Sequence, residues 1–241
     1  MARLGKIVTA IAWIGVLVAV VAGGSWRRNE PGIAGTTPTA SELIILPEKV
    51  EWPVPFTPQA PLGNWADIKQ GNGCEEASML MVDAWANNKT LEPARTAGEI
   101  DKISDFAFKA LGHFHDISNA DTLRVLNEYF EFQNAYLEKE ANLEKLRTLI
   151  AEGRVTIAAV DGDRLDNPNY QIPRPANHKL VIIGYDDKTK EFVTNDPGTS
   201  RGKGYRYGYD KMLEAITDYP TGYRESFEKA EKSVIVAGKQ P

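Results

Sequence analysis

The 241-residue sequence contains a single cysteine, Cys74, and only three histidines. One cysteine cannot form an intramolecular disulfide, so a fold stabilised by internal disulfides is excluded. The cysteine content therefore does not indicate in which redox compartment the protein resides. The chain also lacks an excess of positive charge, since its formal net charge is -5 at pH 7. Because it has neither a basic stripe nor a Walker-type phosphate loop, we expect no nucleic-acid partner.

Long apolar runs are scarce as well, apart from residues 7–25, which carry no charge and follow Arg3 and Lys6. This pattern is typical of a signal peptide or a single membrane anchor rather than of a buried core helix. We predict a signal peptide or anchor over residues 1–28, a flexible linker rich in Gly, Pro, Ser and Thr over 29–46, and one domain over 47–241. The expected location is the cell membrane, single-pass with an extracytoplasmic domain, or secreted, and retention as an anchor is favoured.

Apolar spacing predicts the order of secondary structure in the domain. Four prolines between residues 53 and 61 exclude a helix there. A helix with one apolar face is predicted from Cys74 onward, through Ala77, Leu80, Met81, Ala84 and Trp85. Further helices are predicted over 96–111, 121–130, 143–151 and 210–217, and strands over 155–160, 180–184, 191–194 and 233–237. Helices first and strands later predict an α+β domain with an antiparallel sheet.

Cys74 occupies a position that favours a nucleophile. At a helix N-terminus the helix dipole and the unpaired amide groups stabilise a thiolate, and the same amides can stabilise an oxyanion. Gly71 and Gly73 precede the cysteine and would let a substrate approach closely.

His178 is the histidine best placed to activate the thiol, because it opens a strand that turns back into a second strand. A hairpin centred on Asp187 would bring opposite one another Gly184 and Lys190, Ile182 and Phe192, Leu180 and Thr194, and His178 and Asp196. Opposed residues on one face lie close enough for a carboxylate to orient an imidazole. Asp196 is therefore the predicted third group, with Asn195 as the alternative.

The sequence resembles papain-like cysteine peptidases related to the bacteriocin-leader (double-glycine) processing peptidases, in the branch without a transporter. The resemblance runs from about Val54 to Tyr209. It is carried by VPFTPQAPLGNW, GCEEAS, NPNYQIPRPANHKLVIIGYD, FVTNDPGT and GYRYGYDKML.

The resemblance implies a papain-like fold and a cysteine peptidase that acts on peptide or protein substrates, as a monomer and without a cofactor or metal. Cys74 would be the nucleophile, His178 the general base and acid, and Asp196 the orienting residue. The family also uses a glutamine before the cysteine as oxyanion donor. Gln59, in TPQAP, fits that context and is favoured over Gln70, which is nearer to the cysteine. Glu75 and Glu76 depart from the small residues usual after the cysteine, and a carboxylate there would oppose thiolate formation.

Other motifs receive simpler interpretations. His113 and His115 alternate as metal ligands on a strand would, but no third ligand is identifiable, so a surface turn is favoured. The segment that begins at Asp161 is not an EF-hand loop, because its twelfth residue is Ile172. Residues 167–177 are interpreted as a loop at the rim of the site, with a passive connection as the alternative. The alternating Tyr205, Tyr207 and Tyr209 are expected to serve packing.

Two other classes of function stay open at the level of sequence. A papain-like fold can serve as a non-catalytic binding module, since folds outlast their chemistry. The thiol can also be purely structural, as buried cysteines often are.

Overall fold

A computed structural model describes residues 45–222 and 231–241 of the chain. The predicted signal peptide or anchor, and all but the last two residues of the predicted linker, lie outside these ranges and stay predictions. Within the described ranges, no helix is both long and apolar enough to cross a membrane.

The described part of the chain contains six α-helices, seven strands and one 3₁₀ turn at Gln70–Asn72. The helices are α1 (Cys74–Ala86), α2 (Pro93–Leu111), α3 (Asn119–Phe130), α4 (Leu143–Ala151), α5 (Gly162–Leu165) and α6 (Tyr209–Ala215). The strands are β1 (Lys49–Glu51), β2 (Ala135–Glu138), β3 (Val155–Val160), β4 (His178–Asp186), β5 (Glu191–Asn195), β6 (Tyr205–Gly208) and β7 (Val234–Ala237).

Local signals account for several helix boundaries. Pro93 begins α2, where its missing N–H costs no hydrogen bond. Ser118 and Asn142 cap α3 and α4 by accepting hydrogen bonds from backbone N–H groups of the first turn. Asp161, the first residue of the segment that is not an EF-hand loop, caps α5 in the same way.

All strands belong to one antiparallel sheet with the order β2-β7-β3-β4-β5-β6, and β1 pairs with the last part of β4. Strand β4 is central and carries His178 at its first position. Gly184 is required where β1 crosses it, because a Cβ there would lie 2.4 Å from the carbonyl oxygen of Val50. The predicted α+β class with a helical first half and an antiparallel sheet is confirmed.

Helix α1 lies at the centre of the molecule, and all thirteen of its residues are buried. The predicted single apolar face is therefore wrong: α1 packs against the sheet on one side and against α2 and α3 on others. A second apolar cluster, built largely from α4, α6 and the opposite face of the sheet, completes the core. Full burial forces the polar residues of α1, including Glu75 and Glu76, to find partners inside the protein.

Candidate active site

Cys74 is the first residue of α1, directly after the cap residue Gly73. Its backbone N–H belongs to the first turn and has no acceptor within the helix. A Cβ at Gly73 would lie 3.0 Å from the carbonyl oxygen of Lys69 and 3.1 Å from Ile100, so the tight entry into the helix favours glycine. The thiol is almost completely buried, with 8% of the residue exposed.

Cys74 and His178 line the same cavity, which has a volume of about 170 Å³. Its wall also contains Gln59, Glu75 and His115. Residues of the loop 167–177 form part of this wall, namely Tyr170, Gln171, Pro173, Pro175 and Asn177. The interpretation of this loop as a rim of the site therefore agrees with its position.

His178 and Asp196 are in direct contact, although the predicted strand register is wrong. Nε2 of His178 lies 2.8 Å from Oδ1 of Asp196, and both side chains are buried. Ile182 pairs with Thr194 instead of Phe192, and the pairing shifts between Ile182 and Gly184 at an irregularity in the ladder. Relative to the predicted pairing, this part of the hairpin is displaced by two residues. A displacement of two keeps side chains on their original faces, so the carboxylate still reaches the imidazole.

Asp196 accepts hydrogen bonds from four further groups. Its Oδ2 accepts from the hydroxyls of Tyr170 and Tyr207, each at 2.6 Å, and from Asn167 Nδ2 at 3.4 Å. Its Oδ1 also accepts from the backbone N–H of Gly198 at 3.0 Å. Burial alone would raise the pKa of Asp196, but the charge of His178 and these hydrogen bonds outweigh it and hold that pKa below its usual value.

The same contacts fix the imidazole. The ring of Tyr170 meets the ring of His178 edge to face, with the centroids 5.3 Å apart. Gly198 passes so close that a Cβ there would lie 2.9 Å from Cε1 of His178. Because Asp196 binds Nε2, the nitrogen left for chemistry in the cavity is Nδ1.

Gln59 and Gln70 occupy different environments. Gln59 lines the cavity, and its Nε2 donates to the carbonyl oxygen of Gly71 at 2.6 Å. Gln70 is buried in the 3₁₀ turn before α1, does not line the cavity, and its Oε1 has no hydrogen-bond partner among the described residues. This placement favours Gln59 as the oxyanion donor.

The thiol of Cys74 donates its hydrogen bond to a carboxylate. Sγ lies 3.0 Å from Oε2 of Glu75, whereas within the described ranges no hydrogen bond joins Cys74 to His178. Burial, the charge of Glu75 and this hydrogen bond raise the pKa of Cys74 well above its usual value. The charge of Lys179 and its backbone N–H oppose the effect without reversing it. The expectation from the sequence that a carboxylate beside the thiol opposes thiolate formation therefore agrees with the structure.

Lys179, Tyr219 and Ile117 complete the surroundings of Glu75. Oε1 of Glu75 accepts from the Tyr219 hydroxyl at 3.1 Å and from the Ile117 N–H at 3.2 Å. Nζ of the fully buried Lys179 donates to the same hydroxyl at 3.0 Å and to the Ile117 carbonyl at 2.6 Å. One buried anion and one buried cation therefore share two bridging groups, which compensates their charges inside the protein.

Glu76 is buried next to this network without a charged partner. Its Oε1 accepts from Ser104 at 2.9 Å, while Oε2 has no partner among the described residues. Burial and the neighbouring Glu75 charge raise the pKa of Glu76 well above its usual value. A carboxyl group with a raised folded-state pKa stabilises the fold fully below its unfolded pKa of about 4.3, and that stability is lost as the pH rises through the folded pKa.

We therefore expect Glu76→Gln to unfold at a higher temperature than the wild type at pH 8. The unfolding temperature should rise by about 2 to 4 °C for each 1 kcal/mol by which the substitution increases the free energy of unfolding. The difference should shrink toward pH 5, because the free-energy penalty for the buried wild-type carboxyl decreases as the pH approaches its unfolded pKa. Thermal unfolding followed by circular dichroism between pH 5 and pH 8 measures both trends. Parallel pH profiles for the two proteins would contradict the prediction.

His115 lies in a half-buried bend between α2 and α3, which agrees with the predicted turn, and it also lines the cavity. Its Nδ1 lies 2.9 Å from Oδ2 of Asp116, which also lines the cavity. The segment is drawn inward because Ile117 bonds both Glu75 and Lys179. Within the described residues, no group of three or more His, Cys, Asp or Glu side chains could hold a metal ion.

Sequence reasoning missed two sets of residues around the site. Asn167, Tyr170 and Tyr207 bind the Asp196 carboxylate, although the tyrosines on β6 were assigned to packing. For Tyr207, the alternation of tyrosines along a strand next to β5 is a sequence signal that could have indicated a position near Asp196. Lys179 and Tyr219 had no such signal, because their contacts with Glu75 and its surroundings join distant parts of the chain.

Comparison with known proteins supports this architecture. Residues 52–230 match the model of the Peptidase_C39 like family. A candidate C39-like peptidase from Bacillus anthracis aligns with a TM-score of 0.51 and 16% identity, covering 80% of this chain and 99% of that chain. Xylellain, a cysteine protease from Xylella fastidiosa, aligns with a TM-score of 0.46 and 14% identity, covering 85% of this chain and 91% of its own. No curated protein matches the sequence.

The family match covers well over half of the chain and contains Cys74, His178 and Asp196. At 16% identity, the likeness to the Bacillus anthracis structure concerns the fold alone. The chain therefore belongs to the Peptidase_C39 like family and has a papain-like cysteine peptidase fold.

Proposed function

We propose that the protein is a cysteine peptidase-like hydrolase that cleaves peptide or other amide bonds through an acyl-enzyme thioester. Cys74 is the nucleophile, His178 the general base and acid, and Asp196 the residue that orients His178. Gln59 and the Cys74 N–H are the proposed oxyanion donors. The protein acts without a cofactor and as a monomer in this proposal.

The observation that carries the proposal is the shared cavity. It brings a cysteine at a helix N-terminus together with a histidine whose far nitrogen is held by a buried carboxylate. Such a carboxylate selects one tautomer of the imidazole and stabilises its cation, which is the role of the third member of a triad. The density of hydrogen bonds on Asp196 supports a rigid orientation of His178.

The proposed reaction begins when Nδ1 of His178 takes the thiol proton and Sγ attacks the substrate carbonyl. The negative charge that develops on the carbonyl oxygen is stabilised by Gln59 and by the N–H at the start of α1. The imidazolium then donates its proton to the leaving amine as the C–N bond breaks. Water, deprotonated by His178, finally hydrolyses the thioester and restores the thiol.

The proposed setting follows from residues 1–28. As a membrane anchor or a cleaved signal peptide, this segment would place the domain outside the cytoplasm, and the substrates would be peptides or proteins found there. We also propose that the chain belongs to the branch of the family without a transporter.

A second candidate function is a non-catalytic binding module, and one observation favours it. The Cys74 thiol is bonded to Glu75 and its pKa is raised, so the described conformation holds an inactive form of the nucleophile. In this alternative the cavity would bind a peptide without cleaving it.

Digestion of a peptide library by the full-length protein, followed by mass spectrometry, tests the proposal. We expect Cys74→Ser and His178→Ala each to lower kcat/KM for a cleaved peptide by about a thousandfold or more, because the triad acts as a unit. His113→Ala is the matched control, since His113 does not line the cavity, and it should retain activity.

The binding-module alternative makes a different prediction for the same proteins. It requires that no peptide is cleaved and that a peptidyl electrophile forms no adduct with wild-type Cys74. Cleavage that persists in Cys74→Ser would exclude both the proposed mechanism and a contribution of this thiol.

A further inference from the structure

The proposed mechanism gives no role to the hydrogen bonds around Glu75. Its carboxylate is completely buried, lines the cavity and makes its contact with Cys74 through Oε2. Oε1 is held by Tyr219 and Ile117, which fixes the carboxylate in one orientation. Oε2 therefore faces the sulfur at a defined position and is not free to turn away.

We propose that Glu75 is a positioning residue that holds Cys74 as a neutral thiol in the resting protein, directed away from His178. The contact is an autoinhibitory latch, in which the S–H group donates to Oε2. Formation of the Cys74–His178 pair requires the sulfur to leave Glu75 by rotation about the Cα–Cβ bond. This inference rests on the proposed function, because it assigns His178 as the partner that the latch withholds.

Charges from several elements act on this contact. Glu76 lies next to Glu75 on α1, and its raised pKa keeps it neutral over a wider pH range. Lys179 approaches from β4 and supplies the compensating positive charge. Among the described residues, the other titratable groups around the contact are Tyr219 after α6, His115 and Asp116 before α3, and His178 on β4.

The latch makes the resting thiol poorly reactive. A charged Glu75 opposes a thiolate at 3.0 Å in a buried site, where interactions between charges are strong. Reactivity before substrate binds is therefore low.

Infrared spectroscopy of the wild-type protein tests the latch without any change in the network. The chain has one cysteine, so a single S–H stretching band is expected, and Cys74→Ser identifies it by its loss. We expect this band to be present at pH 7 and shifted to lower frequency by the bond to the carboxylate. Absence of the band at pH 7, or a band at the frequency of an unbonded thiol, would overturn the proposal.

Glu75→Gln tests the consequence for reactivity. The substitution preserves the acceptor for Ile117 and Tyr219 but places an amide N–H against the sulfur, so the hydrogen bond now favours the thiolate. We expect the midpoint of Cys74 alkylation to fall by at least about one pH unit, which is roughly tenfold faster labelling at neutral pH. Glu76→Gln is the matched control, because Glu76 does not contact the thiol, and its midpoint should equal that of the wild type.

Alkylation in the His178→Ala background separates this inference from the proposed function. If Glu75→Gln lowers the midpoint in both backgrounds and peptide cleavage does not depend on His178, the latch stands while the triad fails. If peptide cleavage depends on His178 but the midpoint in Glu75→Gln is unchanged or higher, the triad stands and the latch is wrong. Should Glu75→Gln not fold, the infrared band of the wild type decides.

Discussion

Asp196→Ala is expected to lower the free energy of unfolding by about 3 to 5 kcal/mol, because it leaves several buried donors without an acceptor, each at a cost of about 1 to 3 kcal/mol. The substitution leaves the His178 imidazole, the hydroxyls of Tyr170 and Tyr207 and the Gly198 N–H without the carboxylate as their acceptor. Each is buried or half-buried, so water cannot fully replace the carboxylate. Urea denaturation followed by tryptophan fluorescence at pH 7 measures the loss.

Asp196→Asn separates the structural role of this residue from its chemical role. The amide has nearly the same volume and can still accept from His178, while the tyrosine hydroxyls can reorient to accept from its N–H₂ group. We expect it to recover much of the lost stability but not the proposed activity, because the imidazolium loses its compensating charge. A loss below 1 kcal/mol in Asp196→Ala would show that the hydrogen bonds on this carboxylate contribute little.

The sequence predicts the His178–Asp196 pair because His178 begins one strand of a hairpin and Asp196 directly follows the other. Side chains alternate with a period of two, so the error of two residues in the register did not separate them. The irregularity between Ile182 and Gly184 has no signature in a run of β-branched residues. A one-residue error would have placed the pair on opposite faces of the sheet.

Local patterns likewise account for the helices and central strands that were predicted. Helix α4 and strand β3 occupy the predicted residues 143–151 and 155–160. The short strands β1 and β2 have no counterpart among the predicted strands, because three or four residues give too little periodicity to recognise. The α1 pattern failed for a different reason, since burial on every side depends on the packing of elements far away in the sequence.

The charged network around Glu75 lies beyond what the sequence shows. Glu75 and Tyr219 are separated by 144 positions, and a lysine within a strand ordinarily indicates a solvent-exposed face. Lys179 is instead fully buried, where Tyr219 and Ile117 bond its ammonium group. Only the tertiary structure shows that the departure from small residues after Cys74 has a counterpart on β4.

Lys179→Met is expected to lower the free energy of unfolding by about 3 to 5 kcal/mol, because it leaves the Glu75 carboxylate buried without a positive charge. Methionine fills most of the volume of the lysine side chain, so the loss reports on charge more than on packing. Lys109→Met is the control, since Lys109 is exposed, and it should change stability by less than about 0.5 kcal/mol.

The double variant Lys179→Met/Glu75→Gln decides whether the two charges are coupled. Removing both charges leaves neither position with an uncompensated buried charge, so we expect it to be more stable than Lys179→Met alone, with a coupling of about 1 to 3 kcal/mol in the double-mutant cycle. Additive losses, with a coupling below about 0.5 kcal/mol, would show that Lys179 does not compensate Glu75.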